Sequence, residues 1–419
     1  MKLLSVFIAF MLAFFIGRRI LMKLYVFSFR RRLFDPIDDR KTHLGLIPRM
    51  GGMAFLPTQG AIFFLVIIIL RSLNIINVDY VVLVRFLMLF MGLGLLFVTG
   101  IVDDLMSIYY KWKFVAQTVA AMLIPVSGLW IVHLDGLFGI VLIPAWIGIP
   151  LTILIIVFII NAFNLIDGID GLCSGLTILA CTVLGTLSFR HESWLPVIFS
   201  FITVGTLAPF FYYNVFGKSK RRRRIFMGDT GSTTLGLTVS FLVLSYAVGD
   251  PAELHPGGNL LVAFSVVLVP ALDVLRVILL RLIKRKPLFK PDNTHIHHYL
   301  LRLGFSKYAV LLIILMLASG FIVFNMLFVK FVNNNQTMIC LLDIALWFTI
   351  IWIISLFKPR QAKVGQSKTV IHEIGLQECV QQSADMQADI IQNIELQDNE
   401  LQEIENRELA GVELIEQTK

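Results

Sequence analysis

Eleven stretches of mostly apolar residues succeed one another along the chain, near 3–27, 52–70, 79–101, 114–132, 140–160, 172–189, 194–213, 230–249, 260–283, 309–329 and 338–357. Most approach the ~20 residues that a helix needs to cross a hydrocarbon core of ~30 Å, where no water can satisfy an open backbone. Only 15% of the residues are charged and 57% are apolar, against about 25% charged in an average soluble domain. A water-soluble globule is excluded, and the expected fold is an all-α integral membrane protein with about 11 transmembrane helices. The first stretch, Leu3 to Ile16, lies between Lys2 and the pair Arg18 and Arg19 with no small-residue cleavage site behind it. It reads as a retained span.

Sorting the charge by loop orients the chain. The loops 28–51, 102–113, 161–171, 214–229 and 284–308 contain 20 Lys and Arg, whereas the alternate loops contain only Arg71, Arg190 and Lys330. By the positive-inside rule the first set is cytoplasmic, which puts the N-terminus in the periplasm and the C-terminus in the cytoplasm. Residues 1–357 form the polytopic domain, and 358–419 form an acidic, Gln- and Glu-rich cytoplasmic tail holding 12 acidic and 6 basic residues. Ile390, Ile394, Leu401 and Ile404 give the tail a broken heptad pattern, consistent with disorder or with a helix that pairs two copies into a homodimer. Cys173, Cys181, Cys340 and Cys379 are too scattered for a disulfide framework.

The polar clusters with chemical potential fall in the five cytoplasmic loops. Asp103 and Asp104 end the third span; adjacent carboxylates at a membrane boundary persist best with a cation or proton to share, although helix capping is the plainer role. Asn161, Asn164, Asp167-Gly168 and Asp170-Gly171 combine short oxygen ligands with permissive glycines, a pattern that suits a hard cation or a nucleobase. Phe226-Met227-Gly228-Asp229-Thr230-Gly231-Ser232 opens the eighth span, where helix-start N–H groups attract phosphate. Asp229 there is either an N-cap or a carboxylate that reaches phosphate through Mg²⁺. His295, His297 and His298 follow Lys284, Arg285, Lys286 and Lys290, a setting that favours an anionic ligand over zinc. The basic run at Lys218 and Lys220 to Arg224 lacks an aromatic platform, so lipid headgroups are expected against it and nucleic acid is not. Arg85, Asp273, Arg276 and Asp343 lie within spans; Asp273 and Arg276 are spaced to pair, and such a pair is also a functional suspect.

In order and approximate spacing these motifs, with Asp35-Pro36, Arg40-Lys41-Thr42-His43 and Pro48-Arg49-Met50-Gly51-Gly52, resemble the bacterial polyprenyl-phosphate N-acetylhexosamine-1-phosphate transferases (glycosyltransferase family 4). Within that family they resemble the undecaprenyl-phosphate GlcNAc-1-phosphate transferase branch, over about residues 35 to 305. The resemblance implies a multi-pass enzyme of the bacterial inner membrane with its active site facing the cytoplasm. Such an enzyme transfers N-acetylglucosamine 1-phosphate from UDP-GlcNAc to undecaprenyl phosphate, releases UMP and initiates cell-envelope polysaccharide synthesis. It implies Mg²⁺, with Mn²⁺ as a substitute, held by Asp229 with Asn164 as second ligand. It makes Asp103, Asp104 and Asp229 catalytic, with Asp103 serving the lipid phosphate and Asp104 holding the reacting groups. Asp167, Gly168, Asp170 and Phe226 would meet the nucleotide, and Lys41, His43, Arg49, Asn214, His295, His297 and His298 the phosphates and sugar. His-Ile-His-His behind Pro291-Asp292 follows the GlcNAc branch, whereas the related MurNAc-pentapeptide translocases carry three consecutive histidines. The basic run before Gly228 is longer than is typical of the family, which bears on where Asn214 falls. UDP-MurNAc-pentapeptide or another UDP-HexNAc as donor, and a transporter or flippase of the same hydropathy, are the alternatives.

Overall fold

The computed structural model describes residues 1–31, 48–217, 224–249, 260–285, 294–331 and 335–357, all within one compact unit. Lys41, His43, the basic run up to Arg223, Pro291-Asp292 and the tail 358–419 lie outside the described residues.

Every one of the eleven apolar stretches is helical over most of its length. The helices are α1 (Lys2–Arg30), α2 (Phe55–Ser72), α3 (Tyr80–Met106), α4 (Tyr110–Val126), α5 (Ala145–Ile166), α6 (Leu172–Arg190) and α7 (Trp194–Phe216). There follow α8 (Gly228–Val248), α9 (Leu260–Ser265), α10 (Leu268–Ile283), the short α11 (Ile296–Arg302), α12 (Lys307–Phe331) and α13 (Gln336–Leu356). A 3₁₀ turn at Gly51–Ala54 leads into α2. Among the described residues nine helices are long and apolar enough to cross a membrane, which makes this an all-helical integral membrane protein.

The two stretches missing from that nine have identifiable causes. The fourth forms a helix of only 17 residues, ending beyond Pro125 at Ser127 and the left-handed Gly128 (φ 83°). The stretch 260–283 breaks between α9 and α10. Pro270 cannot donate to the carbonyl four residues back, at Val266, and its ring crowds that carbonyl, so the helix restarts at Leu268. The all-α expectation also needs a local correction. Residues His133–Leu137 and Ile140–Leu142 form a two-stranded antiparallel hairpin (β1, β2), turning through Gly136, Phe138 and Gly139 at positive φ. Helix α5 therefore starts at Ala145, after Pro144, later than the apolar run that begins at 140.

Helix α8 is the hub, packed against α3, α5 and α6 and the most buried of the candidate spans. Its sequence is dominated by Gly, Ser and Thr, and small side chains let backbones approach closely where lipid offers no hydrophobic drive for association. Three of the hydroxyls turn back on the helix itself: Thr233, Thr234 and Ser240 each bond the carbonyl four residues back. At the far end of α8, Arg85 of α3 donates to the Gly249 carbonyl at 3.2 Å. A cluster of Phe63, Phe86, Phe199 and Phe241 ties α2, α3, α7 and α8 together, with Phe63 and Phe86 stacked at 4.6 Å. The intramembrane Asp343 of α13 meets Asn325 of α12, whose amide nitrogen lies 3.1 Å from both carboxylate oxygens.

Candidate active site

The start of α8 is held by two segments far away in sequence. Asp104 accepts the Asp229 N–H at 2.8 Å, the Thr230 N–H at 3.1 Å and the Thr230 hydroxyl at 2.7 Å. Its carboxylate thus caps a helix other than its own, satisfying N–H groups that a helix start leaves open. On the other side the backbones of Pro48–Gly52 and Phe226–Met227 pair. Phe226 N–H donates to Pro48 O (2.8 Å), Gly51 N–H to Phe226 O (2.9 Å) and Gly52 N–H to Met227 O (2.8 Å). Gly228 joins the two attachments at φ +75°, and a Cβ there would strike the Asp104 carboxylate and the Arg49 carbonyl. The pairing brings the Arg49 guanidinium within 3.9 Å of Asp229 and 4.0 Å of Asp104.

Asp103 and Asp229 face each other across one ammonium. Lys113, in the first turn of α4, bonds Asp229 Oδ2 at 2.7 Å and also bonds Asp103 Oδ2. The other Asp103 oxygen accepts the Ile108 N–H at 2.8 Å. Sequence reasoning missed Lys113, counting it only as a loop charge. Its single available signal was that it opens an apolar helix ten residues after Asp103.

The loop after α5 supplies the facing wall. Asn164 donates its amide nitrogen to Ser232 Oγ at 2.9 Å, which leaves its carbonyl oxygen as the atom available to a cation. Asn161 is committed to Gln117 Oε1 (2.7 Å) and to Val157 O (2.8 Å). Burial pushes the Asp167 carboxyl well above the ordinary carboxylate range, with the negative charges of Asp229 and Asp170 adding to the effect. Gly168 lies against the His297 ring, where any side chain would collide with Nε2. Burial, and then the neighbouring His298 ring, push the His297 imidazole down to about 3. It is therefore neutral at physiological pH, and both of its ring nitrogens are buried without a hydrogen-bond partner in this structure.

Three of the residues read as ligand contacts are engaged by the protein itself. Asp170 is paired with Arg224 and lies 3.9 Å from Lys307. Arg224 in turn sits 5.6 Å above the Phe226 ring. Asn214 is buried, accepting the Gly171 N–H at 2.5 Å and donating to Ile225 O at 2.8 Å, so it clamps the acidic loop to the strand-like segment leading into α8. Asn214→Ala leaves both backbone groups unmade at a buried site, an expected loss of about 1–3 kcal/mol. It should lower the thermal midpoint of the purified protein, and an unchanged melting curve would remove this clamp role.

These elements enclose a cavity of about 650 Å³ lined by Asp103, Lys113, Asn164, Asp167, Gly168, Asp229, His295, His297 and His298, among others. Arg281 of α10 also lines it. One flank is apolar, built from Leu154, Val157 and Phe158 of α5 and Val274, Val277 and Ile278 of α10. Among the described residues no three His, Cys, Asp or Glu side chains converge as a complete metal cage. Asp229 and the Asn164 amide oxygen are hard oxygen donors that could hold a cation only together with further ligands. Two carboxylates already share an ammonium, an amide oxygen is free to turn inward, and the remaining positions of such a site are ordinarily filled by substrate phosphates and water.

Fold and site together define a class: an integral membrane protein with a cavity that sets charged side chains beside an apolar wall. The comparisons narrow it. Residues 86–247 match the model of glycosyl transferase family 4. An undecaprenyl-phosphate alpha-N-acetylglucosaminyl 1-phosphate transferase of Escherichia coli K12 is 30% identical over 321 residues, covering 76% of this chain and 80% of that protein. The corresponding Yersinia pestis protein is 29% identical over 322 residues, 76% and 81% of the two chains. A probable undecaprenyl-phosphate N-acetylglucosaminyl 1-phosphate transferase of Bacillus subtilis is 31% identical over 293 residues, 69% and 74%. The chain belongs to glycosyl transferase family 4.

Proposed function

We propose that the protein transfers N-acetylglucosamine 1-phosphate from UDP-N-acetylglucosamine to undecaprenyl phosphate, giving a lipid-linked diphosphate sugar and UMP. The observation that carries this reading is the single cavity in which Asp103, Lys113 and Asp229 lie beside an apolar flank of α5 and α10. A hydrocarbon-bearing phosphate and a water-soluble nucleotide sugar must meet at such a boundary. In the reaction an oxygen of the lipid phosphate attacks the phosphorus that bears the sugar, and the bond from that phosphorus to the UMP oxygen breaks.

Both reactants are anions, so positive charge must gather them and hold an in-line geometry. Arg49, Lys113 and Arg281 supply it from three elements around the carboxylates. Asp229 and Asn164 would hold Mg²⁺, whose chemistry is to neutralise the phosphate oxygens as charge shifts between them. The lipid phosphate is proposed to attack directly. A phosphate with a second pKa of about 6 needs little activation near neutral pH, and each Asp103 oxygen is already engaged by an N–H donor, which dulls a nucleophile. Trapping of sugar-phosphate label on the protein without lipid acceptor would overturn this choice.

The test of the reading is UMP release by purified protein given undecaprenyl phosphate, Mg²⁺ and a panel of UDP-sugars. Turnover with UDP-N-acetylglucosamine is expected. Turnover only with UDP-MurNAc-pentapeptide or another UDP-HexNAc would move the donor, and no turnover with any would favour a transporter.

The site is proposed to face the cytoplasm of the inner membrane, because the loops that carry it hold 20 of the 23 basic loop residues. In a cysteine-free background Ser107→Cys should react with an impermeant maleimide only after permeabilisation, and Phe138→Cys in intact spheroplasts. The reverse pattern would invert the orientation.

A further inference from the structure

The buried carboxylate of Asp273 has a job that neither a helix-stabilising pair nor any motif describes. It sits on α10 with no exposed surface, one turn before Arg276. Its Oδ1 accepts Arg276 Nη2 at 2.9 Å and the Ile296 N–H at 3.0 Å, and its Oδ2 lies 2.8 Å from His295 Nδ1. Arg276 Nη2 also donates to the Thr294 carbonyl at 2.5 Å. One ion pair on α10 therefore grips three consecutive residues, 294 to 296, where the chain returns to begin α11.

The chemical consequence falls on His295. A carboxylate that already serves two N–H donors through Oδ1 is an acceptor at Oδ2, so His295 Nδ1 carries the proton. In the neutral ring Nε2 is then the lone-pair nitrogen, and in the charged ring Nε2 is a second donor. Nδ1 is thus withheld from the cavity that His295 lines, and Nε2 is the ring nitrogen left for a reactant. The His295 and His297 rings are parallel within 6° at 5.8 Å, and His297 abuts Gly168.

We propose that Asp273 is a positioning residue for the transfer reaction, acting with Arg276 to hold a proton on His295 Nδ1, so that the charged ring donates from Nε2 to the nucleotide-sugar phosphates. This rests on the transferase reading for the identity of the reactant, but the dyad itself can be examined without turnover.

Two measurements test it. Solid-state ¹⁵N NMR of histidine-labelled protein in bilayers, with the His295 signal assigned by its loss in His295→Gln, should show a protonated Nδ1 in the unaltered chain. A bare Nδ1 with Nε2 alone protonated overturns the proposal. Steady-state kinetics with undecaprenyl phosphate should show Asp273→Asn lowering kcat/KM for UDP-N-acetylglucosamine about 10- to 100-fold, the scale on which partners that orient a histidine act. In a His295→Ala background the same substitution should cost less than about twofold, since its effect runs through the ring. An equal loss in both backgrounds means that Asp273 only supports the fold, and overturns the proposal, as does wild-type kcat/KM in Asp273→Asn. If Asp273→Asn does not fold, the NMR result on the unaltered chain decides. If the unaltered chain releases no UMP, the transferase reading fails while the ¹⁵N result stands.

Discussion

Replacing Asp229 by alanine should lower UMP release at least about 10³-fold while leaving insertion and thermal stability near those of the unaltered chain. Two features of the structure separate chemistry from folding here. The start of α8 is anchored to Asp104 through the Asp229 backbone N–H, which alanine retains, and through Thr230. The Asp229 side chain instead faces the cavity, bonded to Lys113 at 2.7 Å and 3.9 Å from Arg49. Removing it deletes the carboxylate proposed to hold Mg²⁺, and a metal's stabilisation of phosphoryl charge is worth several kcal/mol. At 1.36 kcal/mol per tenfold, three decades correspond to about 4 kcal/mol. The check pairs the UMP assay with size-exclusion chromatography and a melting curve. Activity within tenfold of the unaltered chain would refute the metal assignment.

The second large effect is expected at Lys113. Lys113→Met leaves Asp103 and Asp229 facing each other without the ammonium that bridges them. The same ammonium is part of the positive charge proposed to gather the anionic reactants, and its loss should lower kcat/KM about 100-fold, about 2.7 kcal/mol at 1.36 kcal/mol per tenfold. Lys113→Arg should recover only part of this. A planar guanidinium fork does not place a compact charge between two carboxylate oxygens as an ammonium does. Kinetics of both variants with UDP-N-acetylglucosamine check the point, and wild-type kcat/KM in Lys113→Met would remove Lys113 from the site.

Lys113 shows where legibility in the sequence stops. All eleven apolar stretches are helical because apolarity over some 20 residues is a local property that needs no knowledge of neighbours. The acidic and His motifs stand out for the same reason, as polar residues clustered against an apolar background. Lys113 is one basic residue in a loop that also holds Lys111, and only the approach of α4 to the ends of α3 and α8 seats it between two carboxylates. Asp104 and Asn214 read as reactant contacts by motif, yet one caps α8 and the other clamps the segment before it. Asp273 reads as an i, i+3 partner of Arg276, and the fold gives the same carboxylate to His295.

The sequence by itself determined that the chain is a helical membrane protein, which loops are basic, and where acidic and histidine residues cluster. The tertiary structure alone decided which partners each carboxylate meets. The reason is physical: apolar burial in a bilayer is scored along the chain, whereas a hydrogen bond or ion pair acts over about 3 Å and depends on which distant segments meet. Asp103 and Asp104 are adjacent, and their different partners, Lys113 for one and the start of α8 for the other, exist only once α3, α4 and α8 have packed.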